Sequence, residues 1–214
     1  MNKHNAATHY EGRLKVGDDK YIYDPVVRNH LLRYIKNRKC LDLGCGSGYY
    51  LKMMGIDSTG YDASIANIEY GKSNGLDIQL TNLDEWTGTK GYELVFASHI
   101  IEHLLSPVKF LESCKASLEK DGILIIGVPT EHSIDRLLYG YGFNEDVRHF
   151  YSFSSKNLQY LIERSGFKII DRYVSYTLMG TLKSDIIEKT LQKIVPFRLG
   201  TFMSKGFYFV CKSQ

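Results

Sequence analysis

The sequence lacks the cysteine spacing of a zinc site or of a disulfide framework. Its four cysteines, Cys40, Cys45, Cys114 and Cys211, lie far apart and form no CxxC or CxxH pair. Small secreted domains that depend on disulfides are much richer in cysteine. The pattern therefore argues against both kinds of cross-link and favours a reducing, cytoplasmic compartment.

Runs of like charge and long apolar runs are also missing. The net charge is +3, and no segment carries five or six like charges. Nucleic-acid-binding domains usually present a dense Lys/Arg face, so we expect no nucleic-acid partner. The longest apolar runs have the length of a strand, well below the ~20 residues of a membrane helix. No signal-peptide pattern follows residues 1–5. We therefore expect a protein without an integral membrane segment.

What the sequence does contain is an alternation of strand-like and helix-like segments over 214 residues. This alternation predicts an α/β fold, with a doubly wound, seven-stranded, mostly parallel sheet whose last strand is antiparallel. We expect one domain over 1–214, with an N-terminal arm at 1–24 and an insertion at 176–205 whose helical part ends at Pro196. The predicted strands are 40–43, 57–61, 77–81, 93–97, 123–128, 167–174 and 206–212. The predicted helices are 24–37, 49–54, 64–74, 107–118, 156–164 and 186–195.

Glycines cluster between the first strand and the helix that follows it. Asp42 is followed by Gly44, Gly46 and Gly48, each separated by one residue. Without a Cβ the backbone can bend sharply, and a ligand can approach it closely. Asp62 ends the second strand, where a carboxylate can accept hydrogen bonds from ribose hydroxyls. The spacing therefore predicts a cofactor that contains adenosine.

The same loop distinguishes between cofactors. A dinucleotide loop reads G-x-G-x-x-G, whereas here the third glycine comes one residue early. Residues 41–48, Leu-Asp-Leu-Gly-Cys-Gly-Ser-Gly, resemble motif I of class I methyltransferases that use S-adenosyl-L-methionine (SAM). The resemblance implies a Rossmann-like methyltransferase fold and SAM as cofactor. The contacts that it implies come from Asp42, Gly44, Cys45, Gly46 and Gly48, with the aspartate holding the ammonium group.

Further segments extend this resemblance to about residues 39–167. Residues 60–64 are similar to the second motif and imply contacts from Tyr61 and Asp62. Residues 82–85 match the region that holds adenine. There Leu83 can supply a backbone N–H, and either Asn82 or Asp84 can accept from the exocyclic amine; Asp84 is equally well explained as a surface acid.

Residues 92–104 resemble the branch that contains ubiquinone-pathway O-methyltransferases, with Glu93 in place of the commoner aspartate. This segment implies a cofactor contact from Ser98. It also contains His99, Glu102 and His103, at spacings that share one helical face. His149 belongs to a later segment that also fits the branch.

His99, His103 and His149 are the candidate catalytic residues, because a general base assists transfer to a hydroxyl or a protonated amine. His132 has a similar standing to His149. Two interpretations of Glu102 and His103 stay open: a functional site, which is a general base or a divalent metal site for a catechol-like acceptor, or capping and packing in the core. We expect no metal, since ubiquinone-pathway relatives tend to carry a second carboxylate where this chain has His99.

The sequence therefore predicts a methyltransferase acting on an oxygen or nitrogen of a small molecule. The alternatives are a protein of this fold that binds SAM or S-adenosylhomocysteine (SAH) without catalysis, and a nucleotide-dependent oxidoreductase. The sequence leaves open whether the protein forms a homodimer. The N-terminal arm, with Tyr10 and Arg13, is either a lid over the cofactor or a solvated segment. The 16 tyrosines are explained either by packing or by an aromatic wall around the acceptor.

Overall fold

The computed structural model describes residues 24–55, 57–130, 149–176, 190–191, 193–202 and 204–214. Seven strands form one sheet. In chain order they are β1 (Cys40–Leu43), β2 (Thr59–Asp62), β3 (Ile78–Leu80), β4 (Tyr92–Ser98), β5 (Leu118–Pro129), β6 (Phe167–Tyr176) and β7 (Ser204–Ser213). The helices are α1 (Pro25–Leu31), α2 (Leu51–Met54), α3 (Ile65–Ser73), α4 (Pro107–Ser117), α5 (Ser155–Arg164) and α6 (Phe197–Phe202), and a 3₁₀ turn spans Ile101–His103.

The strands lie in the order β3-β2-β1-β4-β5-β7-β6. β1 to β5 pair in parallel, and β7 runs antiparallel to both β5 and β6. The predicted fold class, a mostly parallel doubly wound sheet with an antiparallel last strand, is confirmed. The chain moves outward from β1 to β3 and then returns to β4 on the other side. This reversal opens a crevice at the carboxyl ends of β1 and β4, where ligands bind in such sheets.

Both faces of the sheet are covered, as the continuous burial of β1 and of residues 94–97 in β4 requires. Alternate residues of these strands enter two hydrophobic clusters, one on each face. α4 and α5 contribute to one cluster, and α1, α2 and α3 contribute to the other. The central strands are thus fixed from both sides, which makes their carboxyl ends a rigid platform.

Local signals in the sequence explain most element boundaries. The Asp24 carboxylate accepts the Val26 amide at 2.9 Å and caps α1, with Pro25 in the first turn. Ser64 caps α3 in the same way. α1 ends at Leu31 instead of continuing to residue 37, because the amides of Arg33, Tyr34 and Arg38 donate to carbonyls three residues back and Asn37 has a φ of +57°. The helix therefore becomes a series of turns before β1.

The short helix α6 was not predicted from the sequence. Its first residue, Phe197, packs edge-on against Phe207 and tilted against Phe209, with ring centroids 6.2 and 5.6 Å apart. Contacts with β7 therefore stabilise a helix too short to form by its own propensity. Outside the described residues lie residues 1–23 of the predicted arm, His132, and residues 177–189, 192 and 203 of the predicted insertion. Among the helices described, none is long and apolar enough to cross a bilayer.

Candidate active site

The glycine loop after β1 has the backbone that its sequence predicts. Gly44, Gly46 and Gly48 have φ values of +71°, +56° and +87°, a region that side chains disfavour. A Cβ on Gly44 would lie 2.9 Å from Cδ1 of Ile100, which follows β4. The first glycine is therefore needed both for its φ and for the close approach of the loop after β4.

Asp62 connects the end of β2 to this loop. One carboxylate oxygen accepts the Gly46 amide at 2.8 Å, and the other accepts the Ser64 amide at 2.9 Å and the Asn67 side-chain amide at 3.3 Å. A carboxylate offers about four lone-pair sites, and three are already used, so Asp62 keeps capacity for about one hydroxyl donor from a ligand. Its orientation is fixed by the protein itself.

Asp42 is a buried carboxylate in β1, with 2% of its surface exposed. Its Oδ2 is buried and has no hydrogen-bond partner among the described residues. Burial, and to a smaller extent the charge of Asp62, raise the pKa of Asp42 to about 8. Buried polar atoms are normally satisfied, so this oxygen fits a ligand that brings a cationic donor. The ammonium group of SAM is such a donor, and the site fits the cofactor that the motif implies.

Two other predicted cofactor residues, Cys45 and Tyr61, place their side chains in the core, and a third, Gly48, packs closely against it. The Cys45 thiol lies beside Gly60, where a Cβ would come within 2.6 Å of Sγ, and burial raises the pKa of this thiol. A Cβ on Gly48 would meet Leu76 at 2.4 Å, so this glycine permits packing. The Tyr61 hydroxyl donates to Thr89 at 3.1 Å. These positions therefore offer backbone to a ligand.

The loop after β3 is held by its own polar side chains. The Asn82 side chain accepts the Asp84 amide at 3.2 Å, and the Asp84 carboxylate accepts the Leu105 amide at 2.7 Å. Leu83 is buried. Asp84 thus ties this loop to the segment after the 3₁₀ turn, a role that the sequence did not predict.

The three candidate catalytic histidines meet at one buried carboxylate. Glu102 is 1% exposed, and its Oε1 lies 3.9 Å from His99 Nδ1 and 3.8 Å from His103 Nε2. The ring of His149 meets that of His103 edge-on, with centroids 4.6 Å apart. The amides of Phe150 and Tyr151 both donate to the Glu102 carbonyl, which fixes the chain next to His149. The cluster joins segments that are distant in sequence.

This cluster also has the composition of a metal site. Glu102, His103 and His149 each offer one ligand atom, and the three atoms lie within 4.8 Å of one another. Imidazole and carboxylate together suit divalent transition metals. The expectation of no metal, drawn from His99, stays a prediction.

Tyr208 lies near the site but was not singled out in the sequence. Ser98, the last residue of β4, has its Oγ 2.8 Å from the hydroxyl of Tyr208 in β7. The two residues are 110 positions apart. The only local hint is a polar hydroxyl within the apolar run of residues 207–211.

Comparisons with known proteins agree with this geometry. A family described as a methyltransferase domain matches residues 18–172. The ubiquinone biosynthesis O-methyltransferase of Bradyrhizobium diazoefficiens is 27% identical over 136 residues, which cover 56% of this chain and 52% of that protein. The chain thus spans about half the length of the curated relatives it matches.

Solved structures share the fold at low identity. A SAM-dependent methyltransferase from Archaeoglobus fulgidus has a TM-score of 0.64 at 21% identity, covering 91% of this chain and 97% of that one. The N-methyltransferase NodS from Bradyrhizobium japonicum, solved with SAH, has a TM-score of 0.60 at 11% identity, covering 88% and 86%. The chain belongs to the methyltransferase-domain family, and its fold is the one found in SAM-dependent methyltransferases.

Proposed function

We propose that the protein is an enzyme that transfers the methyl group of SAM to an oxygen or nitrogen of a small molecule. The observation that carries this proposal is the buried Asp42 oxygen, which has no partner among the described residues, in the strand that leads into a glycine loop anchored by Asp62. A methyltransferase family match supports the same conclusion.

The three predicted contact regions follow the strand order and so orient the cofactor. Asp42 and the glycine loop, at the end of β1, bind the amino-acid part. Asp62, at the end of β2, accepts a ribose hydroxyl at the acceptor site that its own chain leaves open. The loop of Asn82 to Asp84, after β3, holds the adenine. This arrangement directs the sulfur towards the end of β4.

When bound, SAM supplies a methyl group that its positive sulfur makes electrophilic. The protein must then hold the acceptor in line with the bond that breaks, and exclude water. The acceptor side of the crevice lies over β4, where the side chain of His99 is 42% exposed. We assign His99 as the base that takes the acceptor proton, with the Glu102 carboxylate stabilising the imidazolium that forms. His103 and His149 complete the surroundings of Glu102.

A hydroxyl acceptor on a small molecule is the form of the proposal that the relatives favour, since the first curated matches are named ubiquinone biosynthesis O-methyltransferases. Cytoplasmic location and the lack of a nucleic-acid partner, inferred from composition, belong to the same proposal. So does the organisation as a single domain over 1–214, with an N-terminal arm or lid at 1–24 and an insertion at 176–205.

The test combines binding with turnover. Calorimetry with SAH measures binding, and mass spectrometry after incubation with SAM and a panel of catechols, phenols and amines measures transfer. We expect micromolar SAH binding and transfer to at least one panel member. The His99→Gln variant should bind SAH as the wild type does and lose most of the turnover. Binding without any turnover would favour the non-catalytic alternative, and no SAH binding would refute the proposal.

A further inference from the structure

Tyr208 is one of the most tightly held side chains near the site. It is 2% exposed, and its ring stacks on Tyr173 with centroids 4.8 Å apart and planes inclined by 2°. Tyr173 stacks in turn on His30, at 3.9 Å and 8°. Gly127 makes room for the ring, since a Cβ there would lie 2.1 Å from it. The stack runs from α1 through β6 to β7 and leaves Tyr208 no alternative position.

The hydroxyl of Tyr208 points to the carboxyl end of β4. It lies 2.8 Å from Ser98 Oγ, and Ser98 is partly exposed. The ring of the next residue, His99, lies edge-on to the Tyr208 ring with centroids 6.1 Å apart. One immobile tyrosine therefore contacts both residues at the end of the strand where donor and acceptor must align.

We propose that Tyr208 is a positioning residue of the methyl-transfer site, whose hydroxyl donates to Ser98 and so directs the Ser98 hydroxyl towards an oxygen of the bound cofactor. This inference rests on the proposed function. A serine hydroxyl can rotate, and it can both donate and accept a hydrogen bond. When it accepts from the fixed Tyr208 hydroxyl, its own O–H is directed away from Tyr208 and towards the cofactor. Ser98 then donates its own proton to the carboxylate of the cofactor's amino-acid end.

The chemistry of Tyr208 suits this role. Burial raises its pKa well above the ordinary tyrosine value, so the phenol keeps its proton and stays a donor throughout the working pH range. A hydrogen bond between buried neutral groups contributes about 0.5–1.5 kcal/mol net, so its loss should weaken a ligand that depends on it by about three- to tenfold.

Tyr173 provides a matched control within the same stack. It is fully buried, and its hydroxyl has no hydrogen-bond partner among the described residues. Tyr208→Phe and Tyr173→Phe therefore remove the same atom from neighbouring rings and preserve the stacking. They differ in the contact with Ser98.

The experiment is a double-mutant cycle on the dissociation constant of SAH, measured by calorimetry. We expect Tyr208→Phe and Ser98→Ala each to weaken SAH binding by about three- to tenfold, and the double variant to be no weaker than either. Tyr173→Phe should bind as the wild type does.

Three outcomes would overturn the inference: wild-type affinity in Tyr208→Phe, additive losses in the double variant, or an equal loss in Tyr173→Phe. If Tyr208→Phe does not fold, the Ser98→Ala variant still tests the inference, because Ser98 is the partly exposed partner of the hydrogen bond. Unchanged SAH affinity in Ser98→Ala would then overturn the inference. Failure of the wild type itself to bind SAH is a separate result, which refutes the proposed function.

Discussion

At the scale of single residues, two aspartates divide the work of the cofactor site. Asp62 is anchored by three donors of its own chain and is fixed before any ligand arrives. Asp42 is buried and has an oxygen with no partner among the described residues. Asp62 is therefore preorganised to accept from a neutral hydroxyl. Asp42 has lost its hydration on burial, and a bound cation would compensate for that loss.

Asp62→Ala should remove most of the affinity for SAH. Hydrogen bonds to a charged group contribute about 1.5–3 kcal/mol, so we expect binding to weaken about ten- to hundredfold. Calorimetry with SAH measures the change. Glu69→Gln, at an exposed position of α3, is the control and should bind normally. Affinity unchanged in Asp62→Ala would contradict the ribose assignment.

Asp42 should make SAH binding depend on pH. Its pKa is raised to about 8, so the carboxyl is largely protonated at pH 6, and binding of an ammonium group requires that proton to leave. Affinity should therefore increase between pH 6 and 7.5, by at most about tenfold per pH unit. Calorimetry in buffers of different ionisation enthalpy should also detect proton release. Asp42→Asn should bind more weakly and show neither effect; a flat profile in the wild type would count against this role.

At the scale of elements, the loop between β1 and α2 depends on the loop after β4. Gly44 combines a φ of +71° with the close approach of Ile100. Gly75, which follows α3, has a φ of +75°, and a Cβ there would meet nothing within 4 Å. Substitution of Gly75 therefore tests backbone strain alone, whereas substitution of Gly44 tests backbone strain together with crowding at the site.

Gly75→Ala should lower the free energy of unfolding by about 1–2 kcal/mol, the cost of the left-handed region, and Gly44→Ala should lower it by more, because its methyl group must also displace Ile100. Only Gly44→Ala should also weaken SAH binding, because its methyl displaces Ile100 at the crevice. Urea unfolding and calorimetry distinguish the two effects. Equal SAH affinity in the two variants would show that the loop tolerates the displacement.

Elements with strong local signals were predictable from the sequence. β1 has the predicted bounds, and α1 and α3 begin next to Asp24 and Ser64, where the sequence predicts helices to start. The bend of the glycine loop and the position of Asp62 at the end of β2 were predictable for the same reason, because both depend on local backbone conformation and fixed spacing. Three contacts were not predicted: the ring contact of His149 with His103, the hydrogen bond that Leu105 donates to Asp84, and the hydrogen bond between Tyr208 and Ser98. Such contacts join distant segments, and no local pattern encodes them.

At the scale of the whole molecule, polar and aromatic contacts attach α1 and its flanking residues to β6, the strand at one edge of the sheet. The Tyr34 hydroxyl, in the turns after α1, donates to Asp171 at 2.8 Å, and Asp24 accepts from Ser175. His30 stacks on Tyr173 from the same side. Burial, aided by the nearby Arg33, lowers the pKa of His30 to about 4. The attachment therefore requires a neutral imidazole.

Stability should accordingly decrease on acidification above the range where carboxylates titrate. A folded-state pKa below the ordinary value of 6.5 means that the contribution of His30 is present above pH 6.5 and is lost as the pH falls towards 4. Between pH 7 and 5 the wild type should lose about 1–2 kcal/mol more than His30→Phe, which keeps the stack. Urea unfolding at both pH values measures the difference. Parallel losses in the two proteins would refute the assignment.

The chain contains one tryptophan, and its position has a practical consequence. Trp86 follows the loop that holds Asn82 to Asp84, and its ring meets Tyr61 edge-on with centroids 6.1 Å apart. Its fluorescence therefore originates from a single corner of the molecule, next to the place assigned to the adenine base. Quenching or a spectral shift on titration with adenosine would follow occupation of that corner alone, without a label and without knowledge of the methyl acceptor.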